Sequence, residues 1–340
     1  MTAALAESAL DRVAHTVAAR AADLDEQRTD VRTDLAELGR AGLLDLELSD
    51  MVRVIDEVSA NSLAVGFSAW AHHMTIRYLS AAPGGGFGEQ VGSLAAAQRI
   101  GVTAMAAGLK QVAGLGPVPI TGDTAGADLI VSGPIRWASN VFPDALIVMP
   151  VRVGERTLVV AADASADGVT VDPAPALTAL GATASTSLRL ERVRVPAHHV
   201  LTNDLDGFIA GIRPAFLLLQ TAFCAGVTRA ALTAATEAHT GPLARFGGEL
   251  EDAVARADDV SSRLYRWAAD PAAAKVPDLI RLRLDAARVA VDGTRLELSL
   301  TGGAGYTLGS AANRRFRETA FLPVQSPSEG QLRWELTRYE

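Results

Sequence analysis

The stretch Leu180–Leu201, LGATASTSLRLERVRVPAHHVL, decides how the rest of the chain is read. Its middle, Ser185–Pro196, is rich in Leu, Val and Thr and closes on a proline, which predicts a β-strand. Reading towards the N-terminus, the same texture recurs in Asp128–Ser139 (DLIVSGPIRWAS), Asp144–Val153, Arg156–Asp163 and Gly168–Pro173, and begins at Ile100–Ala106 (IGVTAMA). Gly, Pro and Asp separate these segments, and no helix of useful length is expected between Ile100 and about Asn203. The spacing predicts a meander or barrel-like β-domain.

On both sides the hydrophobic period changes to that of a helix. Leu5, Leu10, Val13 and Val17 form one apolar stripe, and Leu35, Leu38 and Leu43 another, with Gly39 and Gly42 marking a helix end. Helices are expected over 51–79 and 87–97, separated by Pro83-Gly84-Gly85-Gly86. Beyond the strands, Phe216–His239 is long, apolar and free of internal proline, and should be a buried helix. Leu250–Asp270 and Pro277–Leu300 are amphipathic, with Pro277 placed for a helix start. The expected domains are residues 1–99 (all-α), 100–204 (β) and 205–340 (helical bundle).

Composition sets limits on function. The 340-residue chain carries a net charge of −8 and only two lysines, Lys110 and Lys275, so arginine supplies most of its positive charge. That balance argues against a nucleic-acid partner, which needs a concentrated basic surface. No apolar run reaches the length of a membrane span, and the opening MTAALAESALDRVAHTV lacks the apolar core of a secretory signal, so the expected location is cytoplasmic. The single cysteine, Cys224, excludes an internal disulfide and a cysteine-based zinc site, and reads as a core residue. His72-His73 and His198-His199 are adjacent pairs, a spacing that does not aim two imidazoles at one ion, and no metal site is expected.

The α-then-β-then-α order resembles the acyl-CoA dehydrogenase superfamily, and four segments carry the resemblance. Val131–Asn140 (VSGPIRWASN) is similar to the family's strand ending in Trp-Ile-Thr-Asn. Leu180–Leu201 is similar to its long strand closing on Val-Pro, Ala244–Leu250 (ARFGGEL) to its Arg-x-x-Phe-Gly turn, and Thr301–Phe321 to its Gly-Gly-x-Gly-Tyr…Arg-Asp-Ala stretch. The resemblance implies an α+β fold with an N-terminal helical domain, a central barrel-like β-domain and a C-terminal four-helix bundle. It also implies FAD, an acyl-CoA or acyl-carrier substrate, an electron acceptor that the sequence leaves open, and a homodimer or homotetramer in which a neighbouring subunit completes the site.

On that resemblance Trp137, Ser139 and Asn140 lie beside the isoalloxazine ring, where an aromatic face stacks and a hydroxyl bonds the polar edge. Gly302, Gly303 and Gly305 let the backbone approach the pyrophosphate or adenine half from the partner subunit, and Arg245 and Phe246 belong to the altered phosphate-side turn. The family's flavin-facing Thr-Glu-Pro-x-x-Gly-Ser-Asp is matched here to Ala104–Gln111, without its Thr, leaving backbone N–H groups near Met105 and Gly108 to reach the ring.

The family's base is a glutamate that removes the α-proton of the thioester while a hydride leaves the β-carbon. Matching Glu-Gly to Glu-Gly makes Glu329 that base, with three extra residues; the ungapped register puts Ser326 there. Ser326-Pro327-Ser328-Glu329 also reads as a helix start with a solvent-facing carboxylate. Three functions stay open: FAD-dependent α,β-dehydrogenation of an acyl thioester, a flavin-dependent monooxygenase on the same fold, and a non-catalytic member that has lost the cofactor.

Overall fold

The computed structural model describes residues 3–340; side-chain surroundings are described from Glu7 onwards, except at 242 and 244, so the Leu5 side chain lies outside what is described. Five helices come first: α1 (Ala3–Asp25), α2 (Arg32–Arg40), α3 (Leu48–Asn61), α4 (Leu63–Ser80) and α5 (Gly88–Ala95). The predicted stripes are their buried faces: Val13, Val17, Leu35, Leu38 and Leu43 all lie in the core. The continuous helix expected over 51–79 is divided at Ser62, whose extended backbone ends α3 and starts α4.

Eight strands follow: β1 (Gly101–Thr103), β2 (Thr121–Ala125), β3 (Asp128–Ala138), β4 (Leu146–Val153), β5 (Arg156–Asp163), β6 (Val169–Val171), β7 (Thr186–Val195) and β8 (Val200–Thr202). They form one mixed sheet in the order β6-β7-β3-β2-β4-β5-β8, with β1 parallel to β4. One helix does interrupt the strands, α6 (Ala106–Val112). Ala104-Met105-Ala106-Ala107 has high helix propensity, and this overrides the β reading of IGVTAMA after only three strand residues.

The chain then returns to helix with α7 (Leu205–Ala238), α8 (Gly247–Ala269), α9 (Val276–Thr301), α10 (Ala311–Thr319) and α11 (Glu329–Leu336). Asp204 caps α7 by accepting from the Gly207 N–H at 2.9 Å. By length and composition α7 is apolar enough to cross a membrane, contrary to the sequence expectation, but 78% of its apolar window is buried inside the protein. It is a core helix, packed against α3, α8 and α9. Cys224 lies within it, fully buried, and burial raises its thiol pKa.

Helix α4 joins the helical and β parts through buried polar groups. The His72 Nδ1 accepts from the Gly101 N–H at 3.0 Å, so its Nε2 carries the proton and donates to Leu94 O at 2.8 Å. His73 donates from Nδ1 to Leu44 O at 2.8 Å. Burial pushes both imidazoles down to about 4, and both stand neutral in these bonds.

Candidate active site

A cavity of about 800 Å³ opens between α4, the β1–α6 junction, the end of β3 and the segment 317–328. Its floor is aromatic. Phe67 and Trp70 of α4 stack at a centroid separation of 5.5 Å, and meet Phe321 at 4.9 Å and Phe216 of α7 at 5.1 Å respectively. Each ring is one helical turn or a neighbouring element away from the next, and the cluster keeps water from that end of the cavity.

Trp137 stands at the rim with 59% of its surface exposed. A tryptophan serving as a core aromatic would be buried; this one offers an open face. The β3–β7 register shifts between Ile135 and Ala138, and the bulge turns Arg136 and Trp137 outward in succession instead of alternating them. A second irregularity at Gly133 (φ +142°) needs glycine, because a Cβ there would lie 2.8 Å from the Ile120 Cα.

Beside Trp137, Ser139 also borders the cavity and ends a chain of hydroxyls. Thr183 Oγ1 donates to Leu180 O at 2.7 Å, since a carbonyl only accepts. Its one proton is thereby committed, so at the 2.7 Å contact Ser185 donates to Thr183. By the same count Ser139 donates to Ser185 at 2.6 Å. Ser139 is left with lone pairs and no proton for the cavity: it can accept a hydrogen bond there but not give one.

The match to the flavin-facing loop has a second register, one residue earlier. Reading from Thr103 instead of Ala104 puts a threonine at the threonine position and Gly108 at the glycine. Thr103, Ala104, Ala106 and Ala107 border the cavity. Met105 is fully buried and Gly108 packs against Leu205 and Pro150, so neither faces it. The Thr103 hydroxyl shares a 3.0 Å bond with the buried Tyr78 hydroxyl and retains capacity for further partners. The backbone N–H groups of Ala106 and Ala107, at the start of α6, have no acceptor within the helix. Thr103 was legible in the sequence from the five-residue spacing to Gly108.

Asn140, expected at the flavin, is a structural tie. It is fully buried with φ +64°, and its Nδ2 donates to Ser68 O at 2.9 Å and Gly101 O at 3.3 Å. Arg245 is exposed, and Phe246 packs against a separate small core with Leu232, Leu250 and Leu296. Gly302, Gly303 and Gly305 lie in the turn after α9, the first two exposed and Gly305 buried, with Gly302 at φ +65°. None of these five borders the cavity of its own chain.

Glu329 is also placed outside the cavity. Ser328 caps α11, and Glu329 is its first residue, 40% exposed and accepting from Arg333 Nε at 2.8 Å. The helix start aims the carboxylate at solvent. Ser326, the residue of the ungapped register, does border the cavity. Among the described residues lining the cavity, none is Asp or Glu; the charged ones are Lys110, Arg136 and Arg317. Arg317 is neutralised by Asp25, with one contact at 2.9 Å.

No family model and no curated protein matches the sequence. Solved structures do. The chain is similar to butyryl-CoA dehydrogenase from Megasphaera elsdenii (14% identity, TM-score 0.83, covering 100% of this chain and 98% of that one). It is likewise similar to glutaryl-CoA dehydrogenase from Mycobacterium smegmatis (16%, TM-score 0.87, 100% and 95%). A third is FkbI, for biosynthesis of the methoxymalonyl extender unit of the Fk520 polyketide (20%, TM-score 0.82, 97% and 98%). The chain has the acyl-CoA dehydrogenase fold.

Proposed function

We propose that the protein is a flavin-dependent oxidoreductase that holds FAD at the rim of this cavity and takes an acyl group, on CoA or a carrier protein, into its aromatic floor. The residues present fit that cofactor. The open indole of Trp137 suits a planar ring, and Thr103, Ser139 and the Ala106 and Ala107 N–H groups suit its polar edge. A flavin bound there would supply a two-electron centre that takes a hydride or, when reduced, reacts with oxygen. Phe67, Trp70 and Phe216 hold the alkyl part and exclude water. The turn at Gly302–Gly305, and Arg245 with Phe246, are the surfaces by which a second copy would complete the site, in a homodimer or a dimer of dimers.

Between the two reactions, one observation supports a choice: among the described residues no carboxylate borders the cavity, whereas Ser326, the residue at the base position in the ungapped register, does. Removal of a thioester α-proton needs a base of raised pKa within hydrogen-bond reach, and an unassisted serine does not supply one. This favours oxygenation by reduced flavin over α,β-dehydrogenation. The Ser139 hydroxyl agrees with it: able only to accept, it suits a ring N–H, and reduced flavin has one more of these than oxidised flavin.

Spectra and oxygen uptake test the proposal. The purified protein should retain FAD more tightly when the flavin is reduced, keep its yellow colour anaerobically with butyryl-CoA, and consume oxygen when supplied with reduced FAD. Bleaching of the oxidised protein by an acyl-CoA would restore dehydrogenation. Failure to bind either flavin form would leave the non-catalytic reading.

A further inference from the structure

The chain is acidic overall, at −8, yet among the described residues its cavity is lined by cations and no anion. Of the three cations, Arg317 is paired with Asp25, and its charge is already answered. Lys110 on α6 and Arg136 on β3 are different. Both are exposed, both border the cavity, and among the described residues neither has an ion-pair or side-chain hydrogen-bond partner. Lys110 is one of only two lysines in the sequence. The bulge that turns Trp137 outward is what turns Arg136 outward beside it. The same cavity is lined by Leu115, Gly116, Pro117 and Pro119, residues that bring no competing carboxylate.

We infer that Lys110 and Arg136 form a phosphate-binding pair at the mouth of the cavity, one that receives the phosphate of a ligand whose uncharged remainder lies over the 115–119 rim. The inference rests on the proposed function for its ligands: the pantetheine arm of an acyl thioester ends in a phosphate, and so does the ribityl side of a flavin. Guanidinium and ammonium are complementary donors to phosphate oxygens, one as a planar fork and the other as a point charge. Because both groups are exposed, their attraction is screened by salt, and this gives the pair a signature that packing contacts lack.

Titration of the flavin-free protein with butyryl-CoA and with butyryl-pantetheine, which has no phosphate, tests the pair directly. Lys110→Gln and Arg136→Gln should each weaken butyryl-CoA about three- to tenfold, with butyryl-pantetheine unchanged. Raising salt from about 20 to about 300 mM should weaken butyryl-CoA for the unaltered protein and much less for the double variant. A parallel titration with FAD and riboflavin identifies the source of the phosphate: a loss confined to FAD assigns the pair to the cofactor, and a loss confined to butyryl-CoA assigns it to the substrate. Unchanged affinity for both phosphate-bearing ligands, an equal loss for their phosphate-free counterparts, or no binding of either by the unaltered protein would overturn the inference. The thioester arm is independent of flavin, so it holds even if the protein proves unable to bind FAD.

Discussion

A guanidinium nitrogen of Arg283 lies 3.2 Å from the Oε1 of Gln325, deep in the protein and without a carboxylate partner among the described residues. The same nitrogen donates to Leu322 O at 3.2 Å, and Arg283 Nε donates to Gln220 Oε1 at 3.3 Å. The two glutamines then donate to the Ser326 carbonyl, at 2.9 Å from Gln220 and 2.7 Å from Gln325. One buried arginine on α9 thus fixes the 322–326 segment that walls the cavity. Replacing it by methionine leaves several acceptors unpaired, and should cost roughly 3 kcal/mol in urea unfolding. Arg283→Lys should not recover the loss, because an ammonium cannot reproduce the planar fork.

Trp137→Ala separates binding from folding. The side chain is 59% exposed, so thermal unfolding should shift by no more than a surface substitution does. Loss of a stacking face should weaken FAD by about 1 kcal/mol, roughly fivefold, in a fluorescence titration. A lowered melting temperature with unchanged flavin affinity would return Trp137 to the core.

Ser185→Ala acts on Ser139 at one remove. Without its acceptor, Ser139 can turn its proton into the cavity, and the preference for a ring N–H is lost. The ratio of affinities for reduced over oxidised FAD should fall about fivefold, the worth of one hydrogen bond of about 1 kcal/mol. An unchanged ratio would show that the hydroxyl chain does not set the direction of that bond.

Glu329→Gln should leave turnover unchanged, since the carboxylate pairs with Arg333 at the surface. Unfolding free energy should move by less than about 0.5 kcal/mol. A collapse of activity with retained fold would identify Glu329 as the base after all.

Glu318 is buried, one of its carboxyl oxygens has no partner, and burial raises its pKa to about 7 against the opposing pull of Arg314 and Arg315. A raised folded-state pKa means that stability is full below the unfolded value, near 4.5, and is lost as pH climbs through about 7. The loss should be on the order of 3 kcal/mol. Glu318→Gln should abolish it, so the stability difference between variant and unaltered protein should grow in the variant's favour from pH 4.5 to pH 7. A pH-independent difference in chemical denaturation would refute the assignment.

Local pattern alone determined a great deal here. The helical stripes around Val17 and Leu38, the strand at 186–195 and the proline that starts α9 depend on periodicity and backbone chemistry, which act over a few residues. Trp137 and Ser139, which border the cavity, stand out in the sequence for the same reason, as a short motif at a strand end. What the tertiary structure decided was orientation. Whether Asn140 meets a ligand or Ser68, whether Glu329 or Ser326 borders the cavity, and whether Arg136 and Lys110 open onto one mouth depend on a bulge, a helix cap and a one-residue shift in register. Each of those rotates a side chain by a large angle while changing the local sequence pattern very little, and so contact with the cavity could be fixed only by the packing of distant segments.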